Sequence, residues 1–389
     1  MEQGTLSKPP GEVFFDCNKL SEDATVALSL LSFSHSGKYL AYGISKSGSD
    51  WFKIYFRSTT KPFAPGDSKE IPDADKGGKD RLDDELKFIK FSGASWTHDD
   101  AGLFYQRFPE PSNSTQSLGS ETDPNAEARL FYHKLGEKQS EDGLIAGVDP
   151  EVRTGMYSTE VTDDGRFLIL SNSYSTDPKM RQYIAQLNED GSLPDKLKWV
   201  SVADKFESAL DYLASDGNVF YFMTNKNAPR YRIVKVTIDP SKGEATQEPW
   251  TVKVDSSVQM EELIPEDQNG ASLSSATVID DDKLLLVYSR NVVDELWLFD
   301  LHSGKRLTRL MSDLVGSISQ ISGKRGDHDA FVSSTSFTSP GTITRLSWTG
   351  GKPQEQPRVK LHRATSVKSI NPEDFVSEQR WFESKDGTK

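Results

Sequence analysis

A hairpin pattern that recurs along almost the whole chain is the feature that most limits its fold. Each instance has an apolar run, a short polar turn with Ser, Asp or Gly, and a second run rich in aromatic and branched residues. The instances lie at residues 33–42, 96–105, 161–170, 213–222, 278–287 and, in a degraded form, 321–331. Asp-Gly between apolar runs indicates a tight turn, because glycine tolerates the positive φ that such turns require. The sequence therefore predicts a series of β-hairpins.

Further apolar runs extend each hairpin into a larger sheet. The third runs lie at residues 52–56, 129–132, 182–185, 231–236, 295–299 and 342–346. A weaker fourth run usually follows, as at residues 197–202 and 250–254. Four antiparallel strands repeated every ~40 to 65 residues are typical of β-propeller blades. A β-sandwich would contain similar strands, but the repetition of equivalent four-strand units favours a radial arrangement.

We therefore predict an all-β fold, a β-propeller with about six complete four-stranded blades. The blades are expected near residues 27–75, 86–148, 155–203, 207–255, 273–311 and 315–362. Two polar inserts, residues 61–85 and 109–127, make the spacing irregular. Their Gly, Pro, Ser and Asp content predicts surface loops.

Composition restricts the partners that the chain can bind. It has 59 acidic and 46 basic residues and a formal charge of -13. This charge repels phosphate backbones and anionic lipid, so we expect neither a nucleic-acid nor a membrane partner. No apolar stretch approaches the roughly 18 residues that a membrane-spanning helix needs. The single cysteine, Cys17, rules out an internal disulfide and is compatible with a reducing compartment, so a cytoplasmic location is expected.

No catalytic, metal-binding or cofactor motif is evident. The six histidines have no metal-ligand spacing, and two of them, His35 and His98, occupy equivalent turns, which indicates structural roles. Paired acids at residues 99–100, 163–164 and 280–282 also recur at these turns, where Asp side chains cap the backbone. A Gly-x-Ser-x-Gly elbow and a phosphate-binding glycine loop are both missing from the sequence. We therefore predict no catalytic residue, no metal and no cofactor.

Several stretches resemble the propeller of prolyl oligopeptidases, cytosolic serine peptidases that cleave short peptides after proline. The first is Leu-Ser-Glu-Asp-Ala-Thr-Val-Ala-Leu at residues 20–28, and the last is Ser-Lys-Asp-Gly-Thr-Lys at residues 384–389. The others lie at residues 40–51, 88–92 with 96–98, and 333–341. They follow the family's order along nearly the whole chain, and they cover the propeller only.

The resemblance implies a division of the chain. In this family a seven-bladed propeller is inserted into an α/β-hydrolase domain that supplies the catalytic Ser, Asp and His. We therefore expect residues 1–24 to be the remnant of a first blade, with one orphan strand near residues 11–16. Residues 25–364 would form the propeller, and residues 365–389 would lead toward a hydrolase domain that is absent here. Such a propeller either closes as a six-bladed ring or stays open beside the orphan strand.

The resemblance also suggests candidate residues for binding substrate. Phe91 matches an aromatic residue of the family's peptide pocket, and Met156 matches an apolar residue of the same wall. Thr176 lies where animal members often have a cysteine, and Ser173 replaces an arginine that holds peptides in those members. Asp50 matches a loop acid that faces the hydrolase domain.

Two functions from different classes follow. The first is the substrate-gating propeller of a prolyl oligopeptidase-like serine peptidase, which acts on short proline-containing peptides and is inactive without its hydrolase domain. The alternative is a stand-alone propeller scaffold that binds a peptide or protein partner. An exposed apolar patch where the hydrolase would meet the propeller favours the first, and a polar face favours the second. A third possibility is pairing in trans with a separately encoded hydrolase half.

Overall fold

The structure is a computed structural model that describes residues 11–111, 125–174, 176–349, 356–365, 367, 371 and 374–387. Among these residues, 25 strands form six antiparallel sheets, each of which is one blade of a propeller. The predicted all-β propeller with six four-stranded blades is confirmed. Within the same ranges, no helix is long and apolar enough to span a bilayer.

The blades follow one another along the chain. Blade 1 contains β1 (Val26–Phe33), β2 (Tyr39–Lys46), β3 (Phe52–Ser58) and β4 (Glu85–Ile89). Blade 2 contains β5 (Ser95–Trp96), β6 (Gly102–Arg107), β7 (Arg129–Lys134) and β8 (Gly143–Ala146). Blade 3 contains β9 (Met156–Val161), β10 (Phe167–Ser173), β11 (Met180–Gln186) and β12 (Lys198–Ala203).

The second half repeats this order. Blade 4 contains β13 (Leu210–Asp216), β14 (Val219–Thr224), β15 (Arg232–Thr237) and β17 (Met260–Ile264). Blade 5 contains β18 (Ser272–Ile279), β19 (Lys283–Arg290), β20 (Val293–Asp300) and β21 (Arg306–Leu310). Blade 6 contains β22 (Ser317–Ser322), β23 (Asp329–Ser336), β24 (Ser339–Ser347) and β25 (Arg358–Ala364). The short strand β16 (Glu244–Ala245) adds a fifth strand to blade 3. Short 3-10 helices lie at Cys17–Lys19, Ala74–Lys76, Gln139–Glu141, Pro240–Lys242 and Pro249–Thr251.

Local turn chemistry explains the hairpins between the first and second strands. Asp164 accepts hydrogen bonds from the Thr162 hydroxyl at 2.6 Å and from the Arg166 amide at 3.1 Å. Asp99 makes equivalent bonds in the turn of blade 2. Gly165 has a φ of 72°, in the left-handed region that glycine tolerates. Asp99 and Asp164 are therefore turn caps, as the sequence indicated, whereas Asp280 pairs with Lys283 and His328.

Hydrophobic clusters fill the interfaces between neighbouring blades. Five buried clusters join blades 1 and 2, 2 and 3, 3 and 4, 4 and 5, and 5 and 6. Burying apolar surface is the main favourable term in folding, so these five junctions hold the ring together. Among the described residues, no such cluster joins blade 6 to blade 1.

The two sides of that junction differ. On blade 1, Tyr42 and its neighbours are covered by Leu20, Phe63 and the partly buried Phe14 and Phe15. Every residue of β25 on blade 6 is exposed. The segment predicted as an orphan strand, residues 11–16, contributes one parallel bridge between Phe15 and Phe63 and joins no blade.

Three of the expected blade boundaries were wrong. Blade 1 reaches residue 89 and blade 2 begins at residue 95, because β4, which lay in the expected blade 2, pairs with β3. Blade 4 reaches residue 264, because β17 and not residues 250–254 pairs with β15. Residues 250–254 are apolar for another reason: Val252 and Trp250 pack into the cluster between blades 2 and 3.

The division into remnant, propeller and tail remains a prediction. Residues 1–10 of the expected remnant lie outside the described residues, as does much of the tail after residue 365. The first insert has no strand over residues 61–84. Residues 112–124 of the second insert also lie outside the described part of the chain.

Candidate functional site: one end of the propeller

The five residues suggested by the resemblance share one end of the ring. In each blade the second strand ends, and the first strand begins, at the same end, because neighbouring strands are antiparallel. We call this the rim end. Asp50 lies between β2 and β3, Phe91 lies between β4 and β5, Met156 begins β9, Ser173 ends β10, and Thr176 lies between β10 and β11. The topology thus gathers positions that span more than 120 residues, while their substrate-binding roles remain predictions.

Exposed apolar side chains also collect at the rim end. Phe337, between β23 and β24, is fully exposed, and Val292, between β19 and β20, is 88% exposed. Val315 and Tyr174 lie in other loops at this end and are about half-exposed. At the opposite end, Phe33 is the last residue of β1 and is 56% exposed, so exposed apolar side chains are more numerous at the rim end but not confined to it. A group of exposed apolar side chains of this kind marks an interaction site.

Part of the tail returns to the same end. Residues 377–380 line a cavity together with Val292, Val315 and Phe337. The side-chain amide of Gln379 donates a hydrogen bond to the backbone carbonyl of Asn291. The chain therefore leaves the propeller beside the exposed apolar residues.

Phe91 projects from a short connection between blades 1 and 2. Its side chain is 50% exposed and its φ is 50°, in the left-handed region that residues with a Cβ seldom adopt. The preceding Lys90 is buried, with its Nζ 4.2 Å from the centroid of the Trp51 ring and 2.9 Å from Oδ1 of Asn125. A buried lysine and an exposed phenylalanine thus point in different directions from adjacent positions.

Met156 and Ser173 lie side by side on blade 3. They are register partners on β9 and β10, and the Ser173 hydroxyl donates to the Met156 carbonyl at 3.3 Å. Both side chains are partly buried. Burial raises the pKa of the neighbouring Tyr157, whose hydroxyl donates to the Gly147 carbonyl at 2.9 Å.

A buried arginine lies near Ser173, but its charge is already paired. Arg181 NH1 is 2.6 Å from Oδ2 of Asp149, and a second guanidinium nitrogen pairs with Glu151. Asn172 donates to the same oxygen of Asp149 at 2.8 Å. A guanidinium held by two carboxylates has little left to offer a peptide. Since Ser173 is uncharged and the charge of Arg181 is paired, neither residue offers a free cation to a peptide at this part of the rim.

Thr176 and Asp50 are exposed loop residues. The structure places Thr176 in the same loop as Tyr174, whose ring contacts that of Phe206 with centroids 5.7 Å apart. Asp50 lies next to Trp51, which packs edge-on against Phe108. Asp50 thus lies on a loop of blade 1, whereas Met156, Ser173 and Thr176 lie on blade 3.

Polar contacts connect several turns at the opposite end of the ring. Arg325 of blade 6 donates to the Asp281 carbonyl at 2.7 Å and to the Asp216 carboxylate of blade 4 at 2.5 Å. The rings of His35 and His98 stack with centroids 3.6 Å apart. These contacts are structural and join turns of different blades, as expected for the two histidines.

A group of possible metal ligands occurs at that end. One donor atom each of Asp282, Asp300 and His302 lie within 4.8 Å of one another. His302 Nε2 is also 3.2 Å from a carboxylate oxygen of Asp216. Sequence spacing missed the group because Asp282 and Asp300 belong to different turns of blade 5. It is separate from the rim end.

Sequence reasoning also missed the residue that connects the candidate positions. Gln106 on β6 is 1% exposed and its side-chain amide bonds to the Phe91 connection and to the start of β9. The available signal was weak: a polar residue directly after the apolar run Leu-Phe-Tyr at residues 103–105.

Comparisons with known proteins agree with this architecture. The family model described as prolyl oligopeptidase, N-terminal beta-propeller domain, matches residues 1–356. The chain belongs to the prolyl oligopeptidase family. It is 42% identical to Prolyl oligopeptidase A of Galerina marginata over 97% of this chain and 47% of that relative. It is 36% identical to Prolyl oligopeptidase ophP of Omphalotus olearius over 99% of this chain and 47% of that relative.

Solved structures give the same result. Prolyl oligopeptidase B of Galerina marginata, in its apo form, superimposes with a TM-score of 0.80 at 31% sequence identity, covering 97% of this chain and 48% of that one. A second structure of that enzyme, bound to a 25mer macrocyclization substrate, gives a TM-score of 0.81 at 33% identity, covering 97% of this chain and 48% of that one. The chain thus spans about half the length of the prolyl oligopeptidase relatives it matches and corresponds to their propeller.

Proposed function

We propose that the chain is the substrate-gating propeller of a prolyl oligopeptidase-type serine peptidase. Its rim end would dock onto an α/β-hydrolase domain and admit short proline-containing peptides to the catalytic serine of that domain. One observation supports this most: exposed apolar residues, the five resemblance-derived positions and the returning tail all share one end of the ring. An apolar end fits a domain interface better than it fits a polar scaffold face.

Gating follows from the shape and charge of the propeller. A ring of blades that covers a catalytic serine restricts access by size, so folded proteins are excluded and short peptides are admitted. The net charge of -13 disfavours nucleic acid and anionic membranes and does not repel a neutral peptide. The chain contains no Gly-x-Ser-x-Gly elbow, so we expect it to hydrolyse no peptide by itself. A cytoplasmic location, expected from the single cysteine, is part of the proposal.

Reconstitution with a hydrolase domain tests the proposal. The chain is mixed with the separately expressed hydrolase part of Prolyl oligopeptidase A of Galerina marginata. Complex formation is measured by gel filtration, and cleavage is measured with a chromogenic proline-containing dipeptide and with an unfolded protein. We expect a complex that cleaves the dipeptide and spares the protein. Free hydrolase activity that is unchanged by the chain, together with no complex, would refute the proposal.

A matched pair of variants locates the interface. The double variant Val292→Asp, Phe337→Asp puts two charges into the apolar rim end, and we expect it to abolish the complex, because an unpaired charge is costly to bury. The control is Lys324→Asp, which changes the charge of an exposed residue at the opposite end. Equal weakening by both changes would show that the rim end is not the docking surface.

A further inference from the structure

The buried side chain of Gln106 joins two parts of the rim end that are far apart in sequence. Its Nε2 donates to the Lys90 carbonyl at 3.1 Å and to the Phe91 carbonyl at 3.5 Å. Its Oε1 accepts the backbone N–H of Tyr157 at 2.5 Å. One amide group therefore holds the connection that carries Phe91 and the strand that begins at Met156.

The orientation of this amide follows from its partners. The backbone nitrogen of Tyr157 can only donate, and the carbonyls of Lys90 and Phe91 can only accept, so oxygen and nitrogen can each face one way only. No other side chain of similar size offers a neutral donor and a neutral acceptor at one carbon, except in the shorter Asn. Glu supplies the acceptor alone, and Met supplies neither.

The side chain of Gln106 forms a bridge between the Phe91 connection and β9, and both of these backbone segments need a hydrogen-bond partner from outside themselves. β9 is the edge strand of its sheet, so the N–H of Tyr157 on the open side has no ladder partner and is bonded by Gln106. The Phe91 connection adopts a left-handed backbone at a residue with a Cβ, a conformation that persists only when its surroundings hold it. The backbone N–H of Gln106 also donates to Oγ of Ser92 at 2.8 Å, which fixes the next residue of the connection.

We infer that Gln106 is a positioning residue of the gate, which sets Phe91 and Met156 at a fixed separation on the peptide-facing rim. The inference rests on the proposed function, because it assumes that peptides pass this rim. Gln106 is buried and touches no substrate. It acts through the backbone on either side of it.

Two substitutions test the two sets of hydrogen bonds separately. Gln106→Glu keeps an acceptor for Tyr157 and places a carboxylate beside the carbonyls of Lys90 and Phe91. Gln106→Met removes both sets of bonds at similar volume. The matched control is Gln182→Met, which removes another fully buried glutamine amide, whose hydrogen bond from Ser171 stays within blade 3.

Hydrogen exchange on the chain itself gives the first readout. Loss of a hydrogen bond should accelerate exchange at the freed site about fivefold or more. In Gln106→Met we expect faster exchange both at the Tyr157 amide and over residues 90–94. In Gln106→Glu we expect faster exchange over residues 90–94 only. Unchanged exchange in both variants, or an equal change in Gln182→Met, would overturn the inference.

Kinetics of the reconstituted pair give the second readout. We expect both Gln106 variants to raise KM for a proline-containing octapeptide severalfold with kcat nearly unchanged, because the catalytic groups lie on the other domain. Variants that loosen residues 90–94 without changing KM would show that the bridge does not position the gate. A wild-type pair that does not cleave would refute the proposed function instead, while the exchange data would still decide whether Gln106 holds the two segments.

Discussion

His133 makes the stability of the blade 1 to blade 2 junction depend on pH. It is fully buried between two aspartates, with Nδ1 2.8 Å from Asp142 and Nε2 3.1 Å from Asp84. Asp84 also accepts the Gly136 N–H at 2.6 Å, and Asp142 accepts the Tyr105 hydroxyl at 2.5 Å. Burial by itself lowers the pKa of His133, but hydrogen bonds and charges of Asp142 and Asp84 outweigh it and raise the pKa to about 9.

This shift fixes both the sign and the size of the effect. The pKa of His133 is higher in the folded protein than the usual value of 6.5, so its protonation stabilises the fold fully below pH 6.5. The contribution is lost as the pH rises from 6.5 through 9. A shift of this size corresponds to roughly 3 kcal/mol at about 1.4 kcal/mol per unit of pKa. It needs no discount for exposure, because the imidazole is fully buried.

The test compares wild type with His133→Gln. The variant leaves two buried carboxylates without their cation, so we expect its free energy of unfolding at pH 6 to fall by about 3 to 5 kcal/mol. The difference in free energy of unfolding between wild type and His133→Gln should narrow toward pH 9.5, where wild type has lost the stabilisation from protonated His133. Urea unfolding followed by tryptophan fluorescence between pH 6 and 9.5 measures both curves.

A second histidine serves as the control. His362→Gln removes an exposed histidine of β25 that packs against Phe331, and its curve should stay parallel to that of wild type. If the curves of wild type and His133→Gln are parallel over the whole range, the imidazole is not protonated between the two aspartates and the reasoning fails.

Three further substitutions test packing. Arg57 is buried among aromatic rings, and its Nε and NH1 have no hydrogen-bond partner. Arg57→Met should therefore leave the urea midpoint unchanged or raise it, whereas Arg57→Ala should lower the free energy of unfolding by about 2 kcal/mol or more. A large loss of stability in Arg57→Met would contradict this. Gly102→Ala would place a Cβ 2.2 Å from the His133 carbonyl and should cost about 1 to 3 kcal/mol in unfolding free energy, while Gly143→Ala meets nothing within 4 Å and should cost less than half as much. Trp199→Phe removes the bond to the Thr246 carbonyl and should lower the thermal midpoint by an amount that corresponds to about 1 kcal/mol; no change would show that β16 does not depend on this bond.

The hairpins and their turns could be predicted from sequence because their causes are local. Asp99 and Asp164 bond to atoms within two residues of themselves, so the same short pattern produces the same turn in blades 2 and 3. The apolar runs of β2 and β10, which are buried on both faces, are likewise visible in a few consecutive residues. Repetition of these units then indicates a propeller, because each sheet needs a neighbour to cover its apolar face.

The fourth strands could not be assigned in the same way. The apolar run at residues 250–254 looks like the outer strand of blade 4, yet Val252 is buried between blades 2 and 3. Apolar character indicates that a segment is buried, but it does not indicate which other segment covers it. Only the arrangement of the blades shows that β17 takes the place at the edge of blade 4.

The sequence by itself determined the repeated hairpins, the turn caps and the resemblance that names the family, since each depends on residues close together in the chain. Tertiary structure alone decided which residues share the rim end and what connects them. Gln106 and Tyr157 are 51 residues apart, and a hydrogen bond over that separation exists only after blades 2 and 3 have packed together. The pKa of His133 is likewise raised by Asp142 on its own blade and, in addition, by Asp84, 49 residues away, which reaches the imidazole only after blades 1 and 2 have packed together.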